Sequence, residues 1–130
     1  MTDRSETEAF IKKFYAARID GDMETLAKSF AGDARFQISG SPAASMLATF
    51  IEGHDGVMGL IQTIVDSFAL EDFKILDLLI DGDKVAVRWR ATVNQVTSGE
   101  TYETELADFI EMKDGKVVSF TEFLDTALAG

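Results

Sequence analysis

From Thr101 to Met112 the chain reads TYETELADFIEM, and the order of these residues decides the fold class. Taken alternately, Thr104, Leu106, Asp108, Ile110 and Met112 fall on one side and Glu103, Glu105, Ala107, Phe109 and Glu111 on the other. That is the period of two of a half-buried strand, not the 3.6 of a helix. Working outward, the same period runs through Phe73 to Ile80, Lys84 to Gln95 and Lys116 to Leu124. The interruptions Asp81-Gly82-Asp83, Thr97-Ser98-Gly99 and Lys113-Asp114-Gly115 have the composition of hairpin turns. The second half of the chain therefore reads as an antiparallel meander.

Upstream the period is helical. Ser5 and Glu8 form a potential capping box, after which Phe10, Ile11, Phe14 and Ala17 recur on one helical face until Asp20-Gly21. Asp22 can cap a second helix whose face carries Met23, Leu26, Ala27 and Phe30, with Gly32-Asp33 as a turn. Phe36-Gln37-Ile38 reads as a short strand, Gly40-Ser41-Pro42 as a loop, and Ala43 to Glu52 fits neither period. Beyond Gly53-His54-Asp55, a wide stripe of Val57, Met58, Leu60, Ile61, Ile64, Val65 and Phe68 predicts a third helix. Helices followed by a meander predict an α+β fold, a curved antiparallel sheet with three N-terminal helices on its concave face, built as one domain over residues 1–130.

Charge and composition narrow the function. The 130 residues carry 23 acidic and 12 basic side chains, a formal charge of −11. Nucleic acid and anionic membrane surfaces are recognised through clustered Lys and Arg, so neither is an expected partner. No cysteine and a single histidine leave no thiolate chemistry and none of the usual imidazole or thiolate metal sites, so no metal and no cofactor is expected. No basic leader precedes an apolar stretch and no long apolar run occurs, from which a soluble cytoplasmic protein is expected. At this length 46% apolar residues and ten Phe can form a core that also holds a pocket.

Two carboxylates stand out of place. Asp108 shares a strand face with Leu106 and Ile110, and Glu122 shares one with Phe120 and Leu124. A carboxylate on a core face must be hydrogen-bonded, paired or protonated, and a raised pKa would suit it to general acid or base work. Asp108 is expected inside the pocket with a raised pKa unless an arginine sits against it. Leu106, Phe120 and Leu124, on the faces of the two carboxylates, would line the ligand site, and Tyr15 could present its phenol from the first helix. His54 is either a loop or cap residue or an auxiliary donor.

The strand from Lys84 to Gln95 leaves two readings open. Pattern alone turns Val85, Val87, Trp89, Ala91 and Val93 inward and Arg88 and Arg90 outward. Alternatively, the Val/Trp face is covered by the same sheet of a second chain and the arginines enter the pocket to satisfy the carboxylates. A homodimer is expected in which the Val85, Val87, Trp89, Ala91 and Val93 face, or part of it, is covered by the same sheet of a second chain, because helices on one side leave one apolar sheet face uncovered.

Several strings resemble the nuclear transport factor 2-like superfamily, in particular its SnoaL-like and ketosteroid-isomerase-like branch. They are Asp20-Gly21-Asp22, Phe30-Ala31-Gly32-Asp33-Ala34, Gly53-His54-Asp55-Gly56-Val57, and Asp114-Gly115-Lys116-Val117 followed by Glu122-Phe123-Leu124-Asp125-Thr126. The resemblance implies a cone-like fold with a deep apolar pocket, often dimeric through the sheet. It sets Asp108 where ketosteroid isomerases keep the protonated Asp of their oxyanion hole. It sets Ile38 at the position of their general base, and Phe14 at that of their phenol donor, with Tyr15 one residue away. In limonene-epoxide hydrolases the catalytic Asp of the last strand matches Glu122 and an Arg lies near Arg88 or Arg90, while Arg90 or Thr92 stands where their second Asp would be.

Together these readings predict a pocket enzyme of isomerase, epoxide hydrolase or cyclase type acting on an apolar small molecule. Asp108 and Glu122 would carry the proton work, Arg88 or Arg90 would orient them, and Tyr15 or His54 would assist. The alternative is a non-catalytic small-molecule-binding or protein-assembly module of the same fold.

Overall fold

The computed structural model describes residues 4–39 and 49–124, which form three helices and six strands. Helix α1 spans Arg4–Asp20, α2 Met23–Ser29 and α3 His54–Ser67. The strands are β1 Phe30–Ser39, β2 Thr49–Glu52, β3 Phe68–Asp81, β4 Lys84–Gln95, β5 Glu100–Lys113 and β6 Lys116–Phe123. None of the helices is long and apolar enough to cross a membrane.

Local chemistry explains most boundaries. Asp22 caps α2, accepting from the Thr25 backbone N–H at 3.1 Å and from the Thr25 hydroxyl at 2.7 Å. The β5–β6 hairpin turns on Asp114 (φ 53°) and Gly115 (φ 77°), two successive positive φ angles that suit the right-handed twist of the flanking strands. Gly56, near the start of α3, is small for a steric reason: a Cβ there would stand 2.8 Å from Ile51 Cγ2.

Four local expectations are corrected. Helix α1 already includes Arg4, so Ser5 stands in its first turn instead of capping it. Phe30 and Phe68, read as the last residues of helical stripes, each begin a strand. Gly32-Asp33 does not turn the chain; it lies in a register shift of β1 between Phe30 and Arg35. Strand β3 is longer than its alternating part, because Asp72 takes a positive φ (52°) within an irregularity that breaks the period of two. Thr49–Glu52 of the ambiguous stretch forms β2, while the Gly40-Ser41-Pro42 loop lies outside the described residues.

The strands form one sheet in the order β2-β1-β6-β5-β4-β3. All neighbours are antiparallel except β1 and β6, which run parallel, so the sheet is mixed. It is curved and open, and the helices lie against its concave side. The Val85, Val87, Trp89, Ala91 and Val93 side chains are all buried there. The chain's own helices thus cover the face expected to meet a second subunit, which corrects that expectation. Arg88 points to the other, outer side, as the alternating pattern alone implied.

One row across the concave face positions the site. Ile38 of β1 is opposite Glu122 of β6, Glu122 is opposite Asp108 of β5, and Asp108 is opposite Val87 of β4. The two out-of-place carboxylates are therefore direct cross-strand neighbours.

Candidate active site

Asp108 is completely buried and Glu122 partly so. The Tyr15 hydroxyl donates to Asp108 Oδ2 at 2.5 Å and the Trp89 indole N–H donates to the same oxygen at 2.7 Å. Tyr15 reaches it from α1; Trp89 lies two residues along β4 from Val87, the residue opposite Asp108, and reaches it diagonally. Aromatic neighbours fix both donors. The Tyr15 ring stacks on Phe73 at 5.5 Å and meets Phe14 edge-on at 5.5 Å, while Phe73 lies 5.2 Å from Trp89.

Asp108 Oδ1 has no hydrogen-bond partner as long as the neighbouring carboxyl is counted as an acceptor only. Glu122 supplies the missing donor once it is protonated, and the electrostatics put the proton there. Burial pushes the Glu122 pKa well above the ordinary carboxylate value, the Asp108 charge and their hydrogen bond push it further, and the Arg18 charge opposes them. Glu122 keeps some accessible surface, but that surface faces a cavity walled by apolar side chains and gives it little of the solvation of bulk water. Burial also raises the Asp108 pKa, but hydrogen bonds with Glu122, Tyr15 and Trp89 pull it back. Tyr15 is shifted well above the ordinary phenol value, first by burial and then by the Asp108 charge, so it stays a donor. The two donors on Asp108 Oδ2 favour the carboxylate form of Asp108 and, with it, the acid form of Glu122.

Glu122 opens onto a cavity of about 90 Å³ between helices and sheet. Tyr15, Leu106, Phe120 and Leu124 line it, together with Arg18, Ile38, Phe36 and Trp89 among others. Asp108 lies behind this wall, not in it. Its donors are Tyr15 and Trp89, and no arginine sits against it. Arg88 is on the outer face, with Nε 2.6 Å from Asp77 Oδ2 and Nη1 2.6 Å from Glu105 Oε1. Arg90, also directed away from the Trp89 face, does not line the cavity. Neither arginine can orient the carboxylates, because alternation along β4 turns both away from them. His54 Nε2 lies 2.7 Å from the Ala27 carbonyl oxygen, tying α3 to α2 outside the cavity wall. Among the described residues no group of three His, Cys, Asp or Glu is placed to hold a metal ion.

The residue missed by sequence reasoning is Arg18. Its signal was present: Ile11, Phe14, Tyr15 and Arg18 are spaced i, i+3, i+4, i+7, so a guanidinium occupies the core-facing stripe of α1.

The model of the SnoaL-like domain family matches residues 11–120. The chain belongs to the SnoaL-like family. Its fold is that of the nuclear transport factor 2-like superfamily, as solved structures attest. An NTF2-like protein from Burkholderia xenovorans is 26% identical with a TM-score of 0.78, over 99% of this chain and 97% of that one. A protein from Jannaschia sp., provisionally assigned as a SnoaL-like polyketide cyclase, is 17% identical with a TM-score of 0.81, over 99% and 94%. An LEH-like epoxide hydrolase of M. tuberculosis is 16% identical with a TM-score of 0.75, over 93% and 84%. No curated protein sequence matches the chain.

Proposed function

We propose that this SnoaL-like protein is an acid–base enzyme of isomerase or cyclase type that acts on a small, largely apolar carbonyl compound, with Glu122 as the group that gives and recovers the proton. The observation that carries this reading is the cross-strand pair: a cavity-lining Glu122 beside a fully buried Asp108 whose Oδ2 already holds two donors. Protonated at rest, Glu122 can donate to a substrate oxygen. Once it has done so, two carboxylates face each other out of water, and Glu122 becomes a base strong enough to take a proton back. Such a cycle suits reactions in which the proton returns to the enzyme within one turnover. Asp108 touches no substrate in this scheme and acts as a positioning residue, oriented by Tyr15 and Trp89.

The resemblance to ketosteroid isomerases supports Glu122 as the acid–base group with a shift of one strand, while Asp108 departs from it, an ionised residue behind the wall in place of a protonated donor to substrate. Their general-base position corresponds to the apolar Ile38, and the residue opposite Ile38 is Glu122. The phenol comes from Tyr15, while Phe14 packs 5.7 Å from Phe120. The proposal includes a second copy of the chain on the outer sheet face, where Leu79, Phe109 and Phe123 expose apolar surface.

Incubating the protein with a panel of apolar ketones in D2O and following deuterium incorporation by NMR tests the chemistry. Exchange catalysed by the wild type should fall by about 10²- to 10⁴-fold in Glu122→Gln, the share usual for a positioned acid or base. Equal exchange by both proteins would remove the proposal. Epoxide opening by the wild type without ketone exchange would replace it with a hydrolase, and saturable binding without either reaction would leave a binding module.

A further inference from the structure

Arg18 differs from Arg88, the ion-paired arginine among the described residues. Its guanidinium is largely withdrawn from water, in the wall of the cavity. One of its N–H groups, on Nη2, donates to the Phe68 carbonyl oxygen at 2.7 Å. Among the described residues it has no carboxylate within 4.0 Å, and Glu122, the acid whose charge it feels, lies beyond that reach. A guanidinium has five N–H groups in a planar fork. Arg18 keeps some accessible surface and lines the cavity.

The other ionisable groups of the wall sharpen the point. Glu122, Tyr15 and Tyr102 accompany Arg18, and the rest of the lining is aliphatic and aromatic apart from Thr104. Arg18 is thus the single cation among the described lining residues. It sits one helical turn from Tyr15, on the same face of α1.

We infer that Arg18 anchors a carboxylate, and that the ligand of this cavity is a compact apolar molecule with one carboxylate end. The inference rests on the cavity being the substrate site proposed above, and it adds the substrate class. A carboxylate presents two oxygens in a plane and matches the fork of the guanidinium. A phosphate monoester, with its second charge, would find no further cation in the wall. The apolar body is limited by the space: about 90 Å³, less than the roughly 150 Å³ of an apolar cavity known to admit benzene, admits no body larger than a single ring.

Benzoate, benzamide and benzyl alcohol are matched probes for this site. Trp89 is the only tryptophan, so its indole N–H gives one NMR resonance beside the cavity, and titrations at about 0.15 M salt suppress the long-range repulsion from the acidic surface. Wild type should bind benzoate about tenfold or more tighter than either neutral probe. Arg18→Gln, which keeps a donor for the Phe68 carbonyl but loses the charge, should bring the ratio close to one while benzamide binds as before. Arg18→Lys should restore part of the preference. Equal binding of the three probes to wild type, an unchanged ratio in Arg18→Gln, or no binding of benzoate at millimolar concentration would each overturn the inference; should Arg18→Gln fail to fold, the wild-type ratio and Arg18→Lys decide it. Glu122→Gln separates this from the acid–base reading. It should abolish exchange yet leave the benzoate preference, so unaltered exchange in that variant condemns the chemistry and a lost preference in Arg18→Gln assigns the anchor.

Discussion

The two faces of β4 and β5 carry opposite solutions to the problem of placing charge on a sheet. On the outer face, Arg88 joins Asp77 and Glu105 at 2.6 Å each, with all three side chains about half exposed. On the concave face, Asp108 and Glu122 are adjacent carboxyls with no cation in salt-bridge range among the described residues; a phenol and an indole hold Asp108 behind the cavity wall, and Glu122 lines the cavity. The outer cluster holds two close ion pairs that contribute little, because water screens them and would solvate their members equally well apart. The inner pair is withdrawn from bulk water and has no cation in salt-bridge range among the described residues, so its protonation depends on its neighbours. Ion-pair geometry is a poor guide to the candidate site here; the carboxyl without a cation is the better one.

The contrast is broken most severely at Asp108. Replacing it by Leu removes the acceptor of two buried donors, Tyr15 and Trp89, at roughly 1–3 kcal/mol for each donor left unsatisfied. Urea denaturation should show that loss, reduced by whatever is regained from no longer burying a charge. An Asp108→Leu protein as stable as wild type would mean that the buried network does not organise this face.

A smaller, pH-dependent effect is expected at Glu122. Its folded pKa lies above its unfolded one, so the folded chain holds this proton more tightly. The resulting stability is fully present below the unfolded pKa, near the ordinary Glu value of about 4.3, and is lost as pH rises through the folded pKa. Glu122→Gln keeps the shape and a donor toward Asp108 but cannot titrate. Thermal melts should therefore find the variant close to wild type in acid and increasingly more stable than wild type as pH is raised toward 8. The difference between the two proteins is the measurement, since the growing negative charge of the whole chain destabilises both alike. Parallel curves would place the shared proton elsewhere.

The sequence carried this contrast only in part. Alternation along β4, β5 and β6 identified both faces and the two misplaced carboxyls, because a period of two is a local property of the backbone. The resemblance gave the fold. Other features depend on contacts between distant segments. Tyr15 and Asp108 are 93 positions apart, and nothing in either neighbourhood specifies that one donates to the other. The parallel pairing of β1 with β6 joins strands at opposite ends of the chain, and it is what brings Ile38 beside Glu122. The irregularities at Gly32-Asp33 and Asp72 interrupt the period where curvature requires it. Arg18 belongs to a third kind: it is legible as a charge at an apolar helical position, but the Phe68 carbonyl it holds lies 50 positions away.

The smallest effect is expected at Arg88, and its size depends on what covers the outer face. With water against the cluster, Arg88→Met removes two screened ion pairs, and its melting curve should overlay that of wild type. A second copy of the chain on this face would change the sign of the argument. Across the outer side, Leu79 is opposite Ala86, Ala86 is opposite Phe109, and Phe109 is opposite Thr121, which makes a row of mostly apolar surface beside the Arg88 cluster. Leu79 is 67% exposed and Phe109 53%, more than the single exposed apolar residues of an ordinary surface require. Once a partner excludes water there, the acids left by Arg88→Met would be desolvated without their cation, and the loss would become measurable. Light scattering and melts run together at several protein concentrations distinguish the cases. A mass near twice the 14.2 kDa of the chain, with a Phe109→Lys variant reduced to 14.2 kDa, is the expected result. A wild type that stays at 14.2 kDa at about millimolar concentration, with Arg88→Met melting like wild type, would leave the outer face to water and remove the second copy from the proposal.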